Sequence, residues 1–404
     1  MASSLPILYN ASLPTLPSQQ GWLTFGTGLT GTQTRVATGT LLNSTAVMAD
    51  FAGYSNYSRT AATLVNSTFP SLNRSVGFSL DFRLRVISET HLATTTNRAG
   101  FSVTLLDQGP TPQGIELGFW TNSIFSQGGG PTPFRSVGQR LDGVNTTLAT
   151  NYSLRMLDQT YYLLANNRLI LSGAVQDYSQ APADPRLPYR PYSTPNFLFL
   201  GDNTSSASAN VELGTTSLEV ARTGTSGADT FAGTAAADLY NGLAGADVLG
   251  GAAGADWLIG GAGTDSLNGG ADNDVLIGGS EADRFVFSTG AAFNSSQLGV
   301  DTIVDFNSTA LDRLRLGRAT FTALPAGSTL AATSFATVAS DALAATSTAP
   351  IVYNSVNGRL FYNPNGSAAG FAATATGGGL FAQLWGASSG PPFPALSSGV
   401  FEIV

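Results

Sequence analysis

Residues 224–286 read GTSGADTFA, GTAAADLYN, GLAGADVLG, GAAGADWLI, GGAGTDSLN, GGADNDVLI and GGSEADRFV, which are seven nine-residue units without a gap between them. The sixth position of every unit is an aspartate: Asp229, Asp238, Asp247, Asp256, Asp265, Asp274 and Asp283. The eighth position is always a large apolar residue: Phe231, Tyr240, Leu249, Leu258, Leu267, Leu276 and Phe285. Seven units in one phase do not arise from composition alone, so a repeat architecture decides the fold of this segment.

The residue types in each unit suit calcium. Glycine permits the positive φ angles of a tight loop and leaves room for carbonyl oxygens to turn inward. Carboxylate and carbonyl oxygens are the hard ligands that calcium prefers, and the units contain no histidine or cysteine that would favour zinc. The last three residues of each unit form a minimal strand whose middle side chain points into the core. The pattern therefore predicts calcium-binding loops that alternate with short strands.

This spacing resembles the RTX nonapeptide repeat of secreted bacterial proteins, G-G-x-G-x-D-x-U-x, where U is a large apolar residue. The resemblance implies a parallel β-roll with calcium between loops eighteen residues apart. It also implies that the fourth-position glycines take part in the loops: Gly227, Gly245, Gly254 and Gly263. The aspartates would then form at most five pairs: Asp229/Asp247, Asp247/Asp265, Asp265/Asp283, Asp238/Asp256 and Asp256/Asp274.

Three units depart from the family pattern. The second has Ala235 and Ala236 in place of glycine, so we expect its site to be the weakest. Asp272 and Glu281 replace the fourth-position glycine in the last two units. They either add carboxylate ligands or face solvent.

One outer face of the predicted roll is strongly apolar. The residues that flank each U point outward, and on one sheet they include Leu239, Trp257, Ile259, Val275 and Ile277. Such a face is not left in water. It is either covered by another part of the chain or used for self-association with a second copy.

The segment after the repeats resembles the region that follows them in serralysin-type proteins. GVDTIVDF at residues 299–306 and LDRLRL at 311–316 carry this resemblance. Asn354, Asn363 and Asn365 stand where aspartate is common, so we expect no calcium there. The final residues, 401–404, read FEIV and resemble an uncleaved type I secretion signal. The resemblance implies a secreted protein whose calcium sites stay empty, and whose roll stays unfolded, until export.

Residues 1–222 show the alternation of an antiparallel β-sandwich. In 76–86, VGFSLDFRLRV, every even position is apolar and every odd position is polar or glycine. Similar alternation occurs at 101–105 and 115–119, and Asn166-Asn167 lies between two strands as a hairpin turn. GFSLDF and GIELGFW resemble concanavalin-A-like jelly rolls, including laminin-G modules. We therefore predict an all-β fold: a sandwich over 1–222, a parallel roll over 223–290 and a β-rich cap over 291–404.

Composition excludes several functional classes. The chain of 404 residues has no cysteine, one histidine and 18 basic residues, all of them arginine. Disulfide scaffolds, thiol nucleophiles and Schiff-base lysines are therefore impossible. The net charge of −8 argues against a nucleic-acid partner, and no run of apolar residues is long enough to insert into a membrane. The first 222 residues contain 13 arginines and 12 acidic residues, whereas the rest contains 5 and 14, so the negative charge accompanies the repeats.

The sequence leaves three functions open. The first is a non-enzymatic, calcium-dependent component of a cell surface or extracellular matrix that assembles into a layer, sheath or filament. The second is a lectin-like adhesin that binds polysaccharide through sandwich loops containing Tyr189 and Tyr192. The third is a secreted glycan hydrolase, for which Glu116 beside Trp120 is the best candidate. The lone His91 is expected to be a loop or surface residue.

Overall fold

The computed structural model describes residues 6–27, 31–44, 52–91, 97–131, 133–134, 136–181, 187, 189–204, 206–365, 371, 377–385 and 393–404. The chain divides into two compact units, Met1–Val220 and Ala221–Val404. Both are built from strands, which confirms the predicted all-β class. The finer predicted boundary between residues 290 and 291 stays a prediction. No described helix is long and apolar enough to cross a membrane.

The first unit is an antiparallel sandwich of two sheets. Its strands are β1 Ile7–Tyr9, β2 Thr24–Thr27, β3 Thr32–Val36, β4 Gly39–Asn43, β5 Ala52–Ser55, β6 Phe78–His91, β7 Ser102–Leu106, β8 Gln113–Phe119, β9 Ser123–Gln127, β10 Val137–Asp142, β11 Thr150–Leu157, β12 Thr160–Ala165, β13 Arg168–Ala174, β14 Gln176–Asp177, β15 Leu198–Asp202 and β16 Ala207–Val220. Single 3-10 turns occur at Pro17–Gln19 and Pro191–Ser193.

The two sheets enclose one apolar core. One has the order β13-β12-β11-β6-β16-β4-β3 with β1 beside β16, and the other β10-β9-β8-β7-β15-β5-β2 with β14 beside β8. Along β6 the predicted alternation places Phe78, Leu80 and Phe82 in the core. Asn166 and Asn167 both have positive φ, as expected for a tight hairpin turn between β12 and β13. The predicted antiparallel sandwich is confirmed.

The second unit contains the repeats and the residues after them. Its strands are β17 Arg222–Thr223, β18 Thr230–Ala232, β19 Leu239–Asn241, β20 Val248–Ala253, β21 Trp257–Ala262, β22 Ser266–Ala271, β23 Val275–Ser280, β24 Arg284–Phe287, β25 Asp301–Ile303, β26 Arg313–Leu316, β27 Phe335–Val338, β28 Ile351–Asn354, β29 Arg359–Tyr362, β30 Gly379–Leu384 and β31 Phe401–Ile403. Its helices are α1 Ser295–Leu298 and α2 Asp341–Ala344, with 3-10 turns at Ser308–Ala310, Ala332–Ser334 and Ser398–Val400.

The repeats coil between two parallel sheets. Alternate units add to the same sheet, so β18, β20, β22 and β24 pair in one and β19, β21 and β23 in the other. The pairing register is eighteen residues, as between Leu249 and Leu267. The eighth-position side chains meet inside, where they share a core with residues up to Ile403. The predicted parallel roll is confirmed, and its sheets continue beyond the repeats through β25 and β26.

Candidate calcium centre

The repeat aspartates form two rows, one at the start of the strands of each sheet. Within a row, the backbone N–H of one aspartate donates to Oδ1 of the aspartate one turn later. The five bonds are Asp229 to Asp247 at 2.7 Å, Asp247 to Asp265 at 2.8 Å, Asp265 to Asp283 at 2.9 Å, Asp238 to Asp256 at 2.7 Å and Asp256 to Asp274 at 2.8 Å. The fold therefore brings together all five pairs that the eighteen-residue spacing indicates.

In one of these rows, the second carboxylate oxygen of three aspartates lacks a hydrogen-bond donor among the described residues. Asp247, Asp265 and Asp283 are each at most 1% exposed, and Oδ2 of each is buried without a hydrogen-bond donor among the described residues. Leaving a buried carboxylate oxygen unsatisfied is costly. A cation beside each of these three oxygens would satisfy them.

The first glycine of each unit keeps the space beside this oxygen open. A Cβ at Gly260 would collide with Oδ2 of Asp265 and would lie 2.6 Å from the carbonyl oxygen of Gly278, one turn later. The same arrangement surrounds Gly242, where the carbonyl oxygen belongs to Gly260. The loops of Gly242 and Gly260 thus each offer a carboxylate oxygen and a carbonyl oxygen around a gap that a side chain would fill. This is the hard-oxygen donor set of a calcium site.

The comparison with protein families agrees with this geometry. The family described as the RTX calcium-binding nonapeptide repeat matches residues 223–249 and 250–285. Residues 223–285 are RTX repeats. The match ends at residue 285, so it leaves the sandwich and the rest of the second unit unassigned.

Similarities to solved structures are weak. A carbohydrate esterase from the Shiga toxin-encoding bacteriophage phi24B is 12% identical, with a TM-score of 0.36 over 54% of this chain and 99% of that one. A Trypanosoma rangeli sialidase is 12% identical, with a TM-score of 0.29 over 48% and 27%. Alginate lyase A1-II', of polysaccharide lyase family 7, is 10% identical, with a TM-score of 0.26 over 49% and 78%. These values support no conclusion about function. No curated protein matches the sequence.

The electrostatics of the RTX loops favour binding of positive charge. Burial, together with neighbouring carboxylates, raises the pKa of Asp265 to about 6 and that of Asp283 to about 7. Burial also raises the pKa of Asp247. The folded roll therefore holds these carboxylates in an environment that disfavours their negative charge. Either a proton or a metal ion relieves this.

We expect the calcium-free roll to gain stability as the pH falls. A carboxyl group whose pKa is raised on folding contributes stability in its protonated form. That stability is complete below the unfolded value of about 4 and is lost as the pH rises through 6 to 7. With a chelator present, hydrogen exchange of residues 240–290, corrected for intrinsic rate, should slow between pH 7.5 and pH 5. Faster corrected exchange at pH 5 would contradict this sign.

The first two RTX loops have a different conformation. Oδ2 of Asp229 accepts hydrogen bonds from the backbone N–H of Thr225 at 2.7 Å and from its hydroxyl at 3.0 Å. Thr234 binds Asp238 in the same way, and Arg222 forms an ion pair with Oδ1 of Asp238. The carboxylates of these two loops are thus closed by protein donors. The signal in the sequence is threonine at the second position of the unit.

In the later units the second residue is left-handed. Leu243, Ala252, Gly261, Gly270 and Gly279 all have positive φ, whereas Thr225 and Thr234 do not. In the third unit, the N–H of Leu243 donates to Oδ1 of Asn241 at 2.9 Å and not to Asp247. For a residue other than glycine the left-handed conformation costs about 1–2 kcal/mol.

Replacing Ala252 by glycine should therefore stabilise the roll. Ala252 has φ of 82°, a strain that glycine removes. We expect a gain of roughly 0.5–1 kcal/mol in denaturant unfolding at saturating calcium. The matched control is Ala253→Gly at the next position, whose φ is not positive and where glycine should destabilise by a similar amount. Equal effects of the two substitutions would show that strain at Ala252 is not relieved.

The fourth-position residues stack one turn against the next. A Cβ at Gly245 would lie 2.6 Å from the carbonyl oxygen of Gly227, and Gly254 and Gly263 are similarly close to the preceding turn. Asp272 and Glu281 adopt the positive φ of this position, and both are exposed to solvent. Oδ2 of Asp272 accepts a hydrogen bond from the N–H of Gly254 at 3.3 Å. Their exposure favours the solvent-facing alternative over a role as calcium ligands.

The donor set restricts how a metal is held. Among the described residues, no three acidic or histidine side chains converge on one point that would hold an ion. A cation in these loops must therefore take backbone carbonyl oxygens in addition to carboxylates, which suits calcium and does not suit zinc. Asp247, Asp265 and Asp283 would supply carboxylate oxygens, and Gly260 and Gly278 would supply carbonyl oxygens.

The apolar outer face of the roll is buried in the single chain. Trp257 and Val275 are 1% exposed, and Leu239, Ile259 and Ile277 are also buried. This burial agrees with the alternative in which the chain itself covers the face. Self-association through the same face stays a prediction.

Glu116 is a fully buried residue of β8. Its Oε1 pairs with Arg98 at 3.4 Å. Its Oε2 accepts hydrogen bonds from Thr104 at 3.2 Å, from Asn203 at 3.0 Å and from the hydroxyl of Tyr192. A carboxylate surrounded by donors and closed to solvent organises the sandwich and is poorly placed to exchange protons with a substrate. The hydrolase hypothesis loses its best candidate.

The other sandwich candidates are also engaged in packing. Tyr189 is partly buried against Tyr57, with the ring centres 5.7 Å apart. His91 stacks on Trp120 at 4.3 Å, and its Nδ1 lies 2.9 Å from the carboxylate of Glu89. Glycan binding therefore stays a prediction, and neither predicted tyrosine supplies an open stacking platform.

Proposed function

We propose that the second unit is a calcium-dependent folding module of a secreted, non-enzymatic protein. The observation that carries this proposal is the row of buried Oδ2 atoms of Asp247, Asp265 and Asp283, which have no donor among the described residues. They lie in loops whose glycines leave room for an ion. The match to the RTX family supports the same cation.

Calcium would neutralise the carboxylates and bind the carbonyl oxygens that face them. Without it, the rows hold negative charges against one another in a buried setting, which opposes folding. With it, the binding free energy of each ion adds to the stability of the folded state, by about 2.7 kcal/mol per site at a hundredfold excess over Kd. Folding then follows the calcium concentration of the compartment.

A secreted location fits this dependence. A chain that stays unfolded in a calcium-poor compartment suits export in an extended form, and calcium outside then drives folding. RTX repeat proteins are typically secreted. The segment β31, Phe401–Ile403, lies in the stretch that resembles a type I secretion signal. It would act as a signal only before folding, because it becomes a strand of the roll sheet beside β26.

The non-enzymatic part of the proposal rests on the sandwich. Glu116, its best candidate for a catalytic acid, accepts hydrogen bonds from neighbouring side chains of the sandwich. We retain a structural role at a surface or in a matrix as the leading hypothesis for the whole chain.

Electron microscopy with and without calcium tests this structural role. Ordered polymers are expected with calcium, and a monodisperse monomer at millimolar calcium would exclude assembly.

Isothermal titration calorimetry of the full chain tests the calcium proposal itself. Calcium should give saturable heat with several equivalents bound, and magnesium should bind far more weakly because its rigid octahedral shell suits these loops poorly. The absence of calcium heat, with the sandwich folded by circular dichroism, would overturn the proposal.

A further inference from the structure

The aspartate ladder continues by one aspartate in each row beyond the seven RTX repeats. The backbone N–H of Asp283 donates to Oδ1 of Asp312 at 3.0 Å, and that of Asp274 donates to Oδ1 of Asp301 at 3.2 Å. These are the bonds that join the aspartates within the repeats. Asp301 and Asp312 are 1% and 3% exposed, as deeply buried as the repeat aspartates.

The backbone repeats the same geometry. Within the repeats, the residue after each aspartate donates its N–H to the carbonyl of the aspartate one turn earlier, as Arg284 does to Asp265 at 2.8 Å. Arg313 donates to Asp283 and Thr302 to Asp274 in the same way, both at 2.8 Å. Asp301 and Asp312 are therefore the eighth and ninth rungs of the ladder, although 27 and 29 residues separate them from their partners.

The ninth rung completes an open loop. Oδ2 of Asp283 is buried without a donor among the described residues, and a Cβ at Gly278 would lie 2.4 Å from it. Asp305 lies in the following turn and accepts hydrogen bonds from the N–H groups of Gly278 at 3.0 Å and Gly279 at 2.8 Å. Asp312 is thus joined to the N–H of Asp283, and Asp305 is held by the first two residues of the same repeat.

At both ends of this row, the second carboxylate oxygen accepts a hydrogen bond from the protein. Oδ2 of Asp312 accepts a hydrogen bond from the N–H of Asn307 at 2.8 Å, just as Oδ2 of Asp229 accepts from Thr225 at the other end. Between these closed ends, three loops of the row are open, those of Asp247, Asp265 and Asp283. Each open loop needs the aspartate of the next turn to complete its site.

We infer that Asp283 and Asp312 form a calcium site beyond the recognised repeats. The sites of this row are therefore shifted by one turn relative to the repeats: Asp312 takes part, and Asp229 does not. The row then has three sites, at Asp247/Asp265, Asp265/Asp283 and Asp283/Asp312. This inference rests on the proposed calcium-binding function.

Native mass spectrometry of the full chain in calcium tests this assignment with two matched substitutions. Asp312→Asn should lower the number of bound calcium ions by one, and Asp229→Asn should leave it unchanged. An unchanged count for Asp312→Asn, or the loss of an ion for Asp229→Asn, would overturn the inference while leaving the calcium proposal intact. If the wild-type chain binds no calcium, the proposed function itself fails.

A second measurement uses the wild-type chain, so it tests the site even if the Asp312 variant misfolds. Anomalous scattering from crystals grown with terbium, a calcium substitute, should show a metal between Asp283 and Asp312 and none between Asp229 and Asp247. A map with metal at the first pair and none at the second would contradict the shifted ladder.

Discussion

Asp265→Asn should stabilise the calcium-free protein and destabilise the calcium-bound protein. Asp265 is the middle rung of its row and adjoins two proposed sites. Without calcium, burial raises its pKa to about 6, so its charge at pH 7.5 works against folding. The neutral amide removes that penalty, keeps an oxygen for the N–H of Asp247, and places a donor beside the carbonyl oxygens. We expect a gain of roughly 1–3 kcal/mol in calcium-free stability.

With calcium the same substitution removes a carboxylate ligand from two sites. Affinity there should fall by about tenfold or more, which is at least ~1.4 kcal/mol per site. Urea unfolding in chelator and in saturating calcium measures both signs on one variant. Asp229→Asn is the matched control, because the Thr225 donors already hold that carboxylate. Loss of stability under both conditions would mean that Asp265 serves only as a hydrogen-bond acceptor in the roll.

Gly251→Ala should disrupt the roll, whereas Gly250→Ala one residue earlier should be tolerated. A Cβ at Gly251 would collide with Oδ2 of Asp256 and lie 2.5 Å from the carbonyl oxygen of Gly269. A Cβ at Gly250 meets nothing closer than the Phe231 carbonyl oxygen at 3.7 Å, an ordinary contact. Overpacking of this kind costs about 1–3 kcal/mol, and here it also fills the space proposed for the ion.

The two alanine variants are compared by the calcium concentration at the midpoint of folding. We expect Gly251→Ala to require far more calcium and Gly250→Ala to match the wild-type chain. Since both substitutions add the same methyl group and the same backbone restriction, helix or strand propensity does not distinguish them. Equal midpoints would show that the gap at Gly251 has no role in binding.

The nine-residue period predicted the roll because the same structural unit recurs seven times in the sequence. The aspartate position, the inward apolar residue and the eighteen-residue pairing all follow from it. The alternation in residues 76–86 likewise predicted the β6 strand, since a period of two matches a half-buried strand. Both patterns are periodic in the sequence, and in both the structure shows the element that the period predicts.

Three features needed coordinates. The closed loops of Asp229 and Asp238 depend on the φ angle of Thr225 and Thr234, which the repeat pattern does not encode. Asp301 and Asp312 were hidden because inserted residues, including α1, break the nine-residue phase while the ladder itself continues. Glu116 lies on a strand whose residues are buried on both faces, which alternation alone does not reveal.

Hydrogen exchange of the full chain, with and without calcium, shows whether calcium drives folding of the roll. Chelation at pH 7.5 should remove protection from residues 240–316 while strands β6 and β16 of the sandwich keep theirs, and calcium, but not magnesium, should restore it. Equal protection of the roll in chelator and in calcium would contradict calcium-dependent folding.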